Sequence, residues 1–466
     1  MQERSGVPQS LDITTLLPLY KSGQLSPLDV INEVYDRIGR YHDEAVWTYV
    51  LPRQTALQHA ESIINADGSR FEGPLFGIPF SVKDSMDVAP YKTTLACPSY
   101  AYEATETASV VQRVLDAGAI FIGKTNLDQF ATGLTGHRSP YGTPRCVYDA
   151  DYISGGSSSG SAVSVAANLV SFSIGTDTAG STRVPAALNG LVGLKPTLGT
   201  ISTEGLVPAC KTADCVTVLA RSIEDARLAW QEMKAFDEAD VFARRELPRW
   251  SPWRPKLRYG IPPDDMLSRL SPAYASLFNR VRSLLPSLLP GEEVAFDYRP
   301  FESANNMLYG SSIVAQRLVA FDSYIKIHGL DKLHPVIQSI FESSSGFDAV
   351  QAYQDLFTLA LYKRQAEAEF RFMDILVVPS TVTHFTVREI DEDPIGRNRL
   401  MGSFTHFVNL LDLCAVAVPA GKWVNGQGKA LPFGVTLIGQ AGKDEELMEL
   451  GAKVMKACPV EGSLST

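Results

Sequence analysis

Residues 153–197 read ISGGSSSGSAVSVAANLVSFSIGTDTAGSTRVPAALNGLVGLKPT, and the fold is decided here. Two loops of small residues, 155–160 and 178–181, flank a short helix-forming stretch and a short apolar run. A helix over 161–168 rises about 12 Å at roughly 1.5 Å per residue. A returning strand of about six residues covers roughly 20 Å at about 3.3 Å per residue. Both serine-bearing loops therefore finish at the same end of a sheet. Their glycines let backbone N–H groups turn towards one point, the arrangement that stabilises the oxyanion of a tetrahedral intermediate. Thr178, Ala179, Gly180 and Ser181 are the candidate donors. A bare Gly/Ser linker is the competing reading, and the ordered-looking sequence on both sides argues against it.

Outward from this run, residues 74–200 alternate short apolar segments (80–82, 119–122, 170–174) with helical ones such as 109–117. That alternation predicts an α/β fold. Residues 11–66 read mostly as helices. In one of them Leu28, Ile31, Val34, Tyr35 and Ile38 fall at helical spacing behind a Ser26-Pro27 start. Residues 238–300 are proline-rich and read as a linker or an irregular insertion, whereas 302–330 and 346–373 read as helices. Strand-like runs return at 375–379, 415–419 and 434–439, so one large domain with an insertion is expected.

Two motif matches are set aside. Gly156–Gly160 satisfies GxSxG and would make Ser158 an elbow nucleophile serving a Ser–His–Asp site, but Tyr152-Ile153 before it is a poor strand. Gly118–Thr125, GAIFIGKT, satisfies the P-loop expression, yet its four intervening residues read as a buried strand, which cannot wrap phosphates.

The 466 residues carry a formal net charge of −10, with 45% hydrophobic and 20% charged residues. This balance suits a globular chain and gives no basic stripe for nucleic acid. The six cysteines are scattered without a CxxC pair, which predicts reduced, buried thiols in a cytoplasmic protein. Neither a secretory leader nor a membrane-spanning run is visible. The seven histidines show no HxxxH or HExxH spacing, so no metal is expected.

The run GGSSSGSA…GTDTAGSTRVPAALNGLVGLKP resembles the amidase signature, and GPLFGIPFSVKDSMDV (73–88) resembles the lysine segment of the same family. The resemblance extends from about residue 10 to 455 and implies the amidase signature fold, a large mixed β-sheet covered by helices on both faces. It implies a Ser–cis-Ser–Lys triad: Lys83 from VKD, Ser157 after Gly155-Gly156, and Ser181 of DTAGS, with a cis peptide before Ser157. As a base, Lys83 must be neutral, which its apolar approach, Ile78–Val82, favours by burial. Thr176 and Arg183 are expected to support the site, Arg183 by bracing the loop, while Ala131 and Gly133 line the pocket with backbone groups.

Within the family, GKTNLDQFATGL (123–134), RSPYGTPR (138–145), VPACKTADCV (207–216) and FVNLLDLCAVAVPAG (407–421) resemble the allophanate hydrolases. That likeness implies release of ammonia from a small anionic amide, allophanate (urea-1-carboxylate), with no cofactor, no nucleic-acid or membrane partner, and a homodimer by analogy. Tyr309 and Arg317 resemble the substrate clamp, two helical turns apart on one expected helix. Other small carboxamides, or service as the amidase subunit of a tRNA-dependent amidotransferase, are the alternatives. Similar enzymes often continue into a smaller C-terminal domain, and this chain is expected to be the amidase domain without it. Its expected parts are N-terminal helices (1–70), the signature core (71–235), a helical insertion carrying the clamp (236–375), and a return to the core sheet (376–466).

Overall fold

Strands from almost the whole length of the chain meet in one mixed sheet. The computed structural model describes residues 6–64, 73–248, 250, 252–289 and 291–459. In chain order the strands are β1 (Trp47–Val50), β2 (Pro79–Lys83), β3 (Ile120–Thr125), β4 (Phe172–Asp177), β5 (Val192–Lys195), β6 (Cys215–Ala220), β7 (Leu257–Gly260), β8 (Gly291–Glu293), β9 (Ile375–Pro379), β10 (Leu413–Val424) and β11 (Ala430–Gln440). Across the sheet they run β1-β3-β2-β4-β6-β5-β10-β11-β9-β7-β8. β2 lies parallel to both β3 and β4, and β7 parallel to β8 and β9, whereas the other pairings are antiparallel. β2, β3, β4 and β9 are buried along their full length, as strands covered on both faces must be.

Helices used below are α1 (Pro27–Arg40), α2 (Ser159–Ala166), α3 (Arg183–Leu188), α4 (Arg299–Gly310), α5 (Gln316–His328), α6 (Ala349–Glu369), α7 (His406–Leu410) and α8 (Asp444–Ala457). α1 starts as expected: Ser26 and Asp29 form a capping box and Pro27 opens the helix. The two faces of the sheet are covered by different helices. A Cβ on Gly451 of α8 would lie 3.1 Å from Val418 and 3.5 Å from Val416 of β10. Ala187 of α3 packs on Gly434, which pairs with Pro419 and therefore lies on the opposite face from Val416 and Val418. The expected α/β architecture is thus the observed one.

Three stretches differ from expectation. WTYV forms β1 inside a region that reads as helical, because four residues of strand are too short to show a period and are held by pairing to β3. The expected helical insertion also supplies β7 and β8, which extend the sheet edge, and Trp250 Nε1 donates to Ala441 O, so this proline-rich stretch packs on the core. The helix expected over 302–330 is broken at Gly310–Ser311. The expected boundary at 70/71 lies outside the described residues.

Candidate active site

The site forms where β2 and β4, parallel neighbours, end side by side. Lys83 is the last residue of β2 and is completely buried. Its Nζ lies 2.8 Å from Ser157 Oγ and 2.7 Å from Thr176 Oγ1 on β4. Burial pulls its pKa down to about 7 against the opposing pull of the Asp128, Asp177 and Asp214 carboxylates, so a substantial share of the amine is neutral near pH 7. Ser157 follows the Gly156–Ser157 cis peptide, at the turn leading into α2.

Ser181 lies beyond the end of β4, and its carbonyl accepts from Ser158 N at 3.1 Å, which ties the two serine loops together. Its Oγ donates to Gly133 O at 3.4 Å and makes no hydrogen bond to Ser157. The Lys83–Ser157 link is therefore made and the Ser157–Ser181 link is open. Ser158 Oγ donates to Thr176 O at 3.0 Å, and no histidine bonds it. That removes the elbow-nucleophile reading. Gly118–Thr125 contains β3, as its sequence requires, which removes the P-loop reading.

The turn carrying Ser181 is organised by Asp177. Its carboxylate accepts from the N–H groups of Gly180 (2.7 Å) and Thr182 (3.3 Å) and from Arg183 Nε (2.9 Å) and Nη2 (2.8 Å). Burial alone would raise the Asp177 pKa, but the Arg183 charge and hydrogen bonds overcome it and hold the group near about 2. Arg183 thus braces the loop, and it also reaches Thr405 O and Asn409 Oδ1, both at 3.1 Å. Gly180 is left-handed, with φ 117°, and a Cβ there would fall 2.5 Å from Thr405 Oγ1. One expectation needs correcting: the Gly180 N–H is already committed to Asp177 and is not free for an oxyanion. Among the described residues, the N–H groups of Thr178, Ala179 and Ser181 have no protein acceptor. Thr178 Oγ1 donates to Asp214, which also accepts from Ala209 N and Cys210 N.

The opposite wall is the loop after β3. Phe130 and Ala131 take left-handed conformations (φ 54° and 52°), and Gly133 follows with its carbonyl at Ser181. Asp128 holds this loop, accepting from Gly136 N and Arg138 N, both at 3.0 Å. A Cβ on Gly133 would lie 2.7 Å from Asp128 Oδ2, which is why glycine stands there.

Tyr309 and Arg317 come together, although by a route the sequence did not suggest. They do not share a helix: α4 stops at Gly310, Ser311 Oγ caps a single 3-10 turn (Ser312–Ala315), and α5 begins one residue before Arg317. The break lets the Arg317 guanidinium sit 5.5 Å from the Tyr309 ring centre. Arg317 is 2% exposed, has no carboxylate partner among the described residues, and donates only a long hydrogen bond, 3.4 Å, to Ala209 O. Tyr309 packs against a cluster that includes Ala179, two residues before Ser181, so the residues expected as clamp and as triad lie in one site. Among the described residues no group of three or more His, Cys, Asp or Glu is arranged to hold a metal ion.

Asp128, Asp177, Asp214, Thr405 and Asn409 were not singled out by sequence. Asp177 was the most readable, standing immediately before the TAGS turn.

Comparison with known proteins agrees with this geometry. The Amidase family model matches residues 29–448. A urea amidolyase of Saccharomyces cerevisiae is 37% identical over 90% of this chain but only 22% of its own length, and that of Lachancea kluyveri is 35% identical over 96% and 24%. The chain thus spans about a quarter of these relatives. The solved structure of Kluyveromyces lactis allophanate hydrolase superposes with a TM-score of 0.88 at 34% identity, covering 99% of this chain and 74% of that one. The chain therefore belongs to the amidase family, hydrolases that act on amide C–N bonds.

Proposed function

We propose that this enzyme hydrolyses allophanate, releasing ammonia, and that Lys83, Ser157 and Ser181 are its catalytic residues. The observation that carries the substrate is Arg317, a buried guanidinium beside the proposed triad with no carboxylate among the described residues to balance it. An unpaired buried charge is costly, and a small substrate carboxylate, bound in bidentate fashion, offsets that cost. Tyr309 supplies the other half of the clamp, and Ala131 and Gly133 form the facing wall, where the Gly133 carbonyl accepts from the amino group of the scissile carboxamide.

Ser181 Oγ turns from Gly133 to Ser157 and attacks the carboxamide carbonyl, its proton passing through Ser157 to neutral Lys83. The resulting oxyanion faces the N–H groups of Thr178, Ala179 and Ser181. The proton returns through Ser157 to the leaving nitrogen, the C–N bond breaks and ammonia departs. Water then cleaves the Ser181 ester by the same relay, giving N-carboxycarbamate. Thr176 holds Lys83 Nζ in place throughout.

The chain is proposed to work as one amidase domain, 1–466, with the clamp on the 236–375 insertion. Its cytoplasmic setting is supported by six buried, unbridged cysteines, and no helix among the described residues is long and apolar enough to cross a membrane. A homodimer is proposed as its assembly.

The test is ammonia release from allophanate by wild type, Ser181→Ala, Ser158→Ala and Arg317→Ala. Ser181→Ala abolishes turnover, and Ser158→Ala keeps most of it. Arg317→Ala raises KM about 100-fold with little change in kcat, since it removes binding that ground and transition states share. Wild type that ignores allophanate but hydrolyses a neutral carboxamide through Ser181 removes the substrate assignment. Ammonia release from glutamine alone, and only with added partner subunits, would instead identify the amidase component of an amidotransferase.

A further inference from the structure

Most buried cations of this site have an evident task. Arg183 pairs with Asp177 at 2.8 Å, Lys83 has its pKa drawn down to about 7 by burial and is the proposed base, and Arg317 is the proposed partner of a substrate carboxylate. Arg138 is different. It is 2% exposed, yet among the described residues no carboxylate lies within ion-pair distance of its guanidinium. Nη1 donates to Thr132 O at 3.0 Å and Nη2 to Pro394 O at 2.8 Å, while Nε is buried without a partner. Holding a guanidinium out of water for two carbonyls is an expensive way to fasten a loop, so what the loop carries matters.

It carries Gly133. The segment around that residue is pinned on every side: Thr132 O by Arg138, Leu134 N by Asn398 Oδ1 (2.8 Å), Leu134 O by Gly156 N (2.8 Å), and Gly136 N by Asp128. The guanidinium also packs directly on Gly133, since a Cβ there would fall 3.1 Å from Nη1. The Gly133 carbonyl is the group that Ser181 Oγ faces. Asp128, Tyr309 and Arg317 all act on the Arg138 charge, which places it in the electrostatic surroundings of both the triad and the clamp.

We propose that Arg138 is a positioning residue for hydrolysis: by bridging Thr132 O and Pro394 O, its guanidinium fixes Gly133 against Ser181 and sets the wall on which the scissile carboxamide rests. The inference relies on the assignment of Ser181 as nucleophile. Arg317 then governs binding, whereas Arg138 governs turnover. Lysine cannot replace it fully, because a single ammonium lacks the planar fork that spans two carbonyls.

The test compares Arg138→Lys, Asn398→Ala and the double variant with wild type in two assays. One is kcat and KM for ammonia release from allophanate. The other is the rate at which phenylmethanesulfonyl fluoride modifies Ser181, in which Oγ bonds to sulfur, fluoride leaves, and the serine proton passes through Ser157 to Lys83. For Arg138→Lys, kcat falls about 10- to 100-fold, as a small misplacement of a reacting wall requires, and KM stays within about threefold of wild type. Sulfonylation slows in parallel, the melting temperature stays near that of wild type, and Asn398→Ala shows the same pattern. The double variant is less impaired than the product of the two single effects, because both residues pin one segment. Full kcat in folded Arg138→Lys, or a loss confined to KM as for Arg317→Ala, overturns the proposal. Should wild type ignore allophanate, the sulfonylation rates still decide the role of Arg138, so the two readings fail separately.

Discussion

At the scale of single residues, the proposed chemistry depends on the neutral share of one buried lysine. Among the described residues Lys83 is flanked at 2.7–2.8 Å only by hydroxyls, Ser157 and Thr176, and the nearby carboxylates act from further off without reversing the effect of burial. A base serves only when deprotonated, so kcat/KM should rise with pH and reach half its plateau near pH 7, the value to which burial brings the group. A pH–rate profile of the free enzyme checks this. An ascending limb near pH 10, the ordinary lysine range, would remove Lys83 as the base. The three residues proposed as the triad were readable in the sequence because each sits inside a long motif. The carboxylates that arrange it were not, since Asp128, Asp177 and Asp214 gain their meaning from backbone N–H groups and from Arg183, contacts that only folding creates.

At the scale of elements, the decisive feature is the interruption between α4 and α5. A continuous helix would carry Tyr309 and Arg317 two turns apart, whereas the break folds the guanidinium back over the ring. The run GSS at 310–312 reads as tolerable helix in an apolar pattern, which is why the interruption was not legible. Its cause lies in a remote helix: Asp355 of α6 accepts from Ser312 N at 2.7 Å and from Gln351 Nε2 at 2.9 Å. Asp355→Ala should leave that buried N–H without a partner, lowering stability by about 1–3 kcal/mol. Because Arg317 starts from the same turn, KM for allophanate should rise more than kcat falls. Thermal denaturation and steady-state kinetics on one preparation check both, and an unchanged KM would uncouple the turn from the clamp. β1 was missed for a related reason, four residues being too few to show a period without β3 beside them.

At the scale of the whole molecule, the alternating pattern announced an α/β sheet but not its strand order. The long β10–β11 hairpin, from the C-terminal fifth of the chain, sits in the middle of the sheet and joins the signature half to the clamp half. Composition was equally silent about the surface. On α6 only Asp355 and Ala366 are buried, while Val350, Tyr353, Leu356, Phe357 and Leu361 are each more than half exposed. The proposed homodimer would use this stripe as its contact surface, and a second copy of the chain suits it on charge. Antiparallel self-pairing centred on Leu356 sets Asp348 at one end of the stripe opposite the partner's Arg364, and the two-fold axis repeats that pair at the other end. Such an isologous contact closes on itself and gives a dimer rather than a filament. Phe357→Glu with Leu361→Glu places two carboxylates in the stripe and should halve the mass seen by sedimentation equilibrium. Both side chains are exposed in the single chain, so the melting temperature of the dilute monomer should hardly move. Turnover per chain should persist, because Lys83, Ser157, Ser181, Tyr309 and Arg317 all come from one chain. A wild type that sediments as a monomer at every concentration would remove the self-pairing, and a variant that remains dimeric would move the interface away from α6.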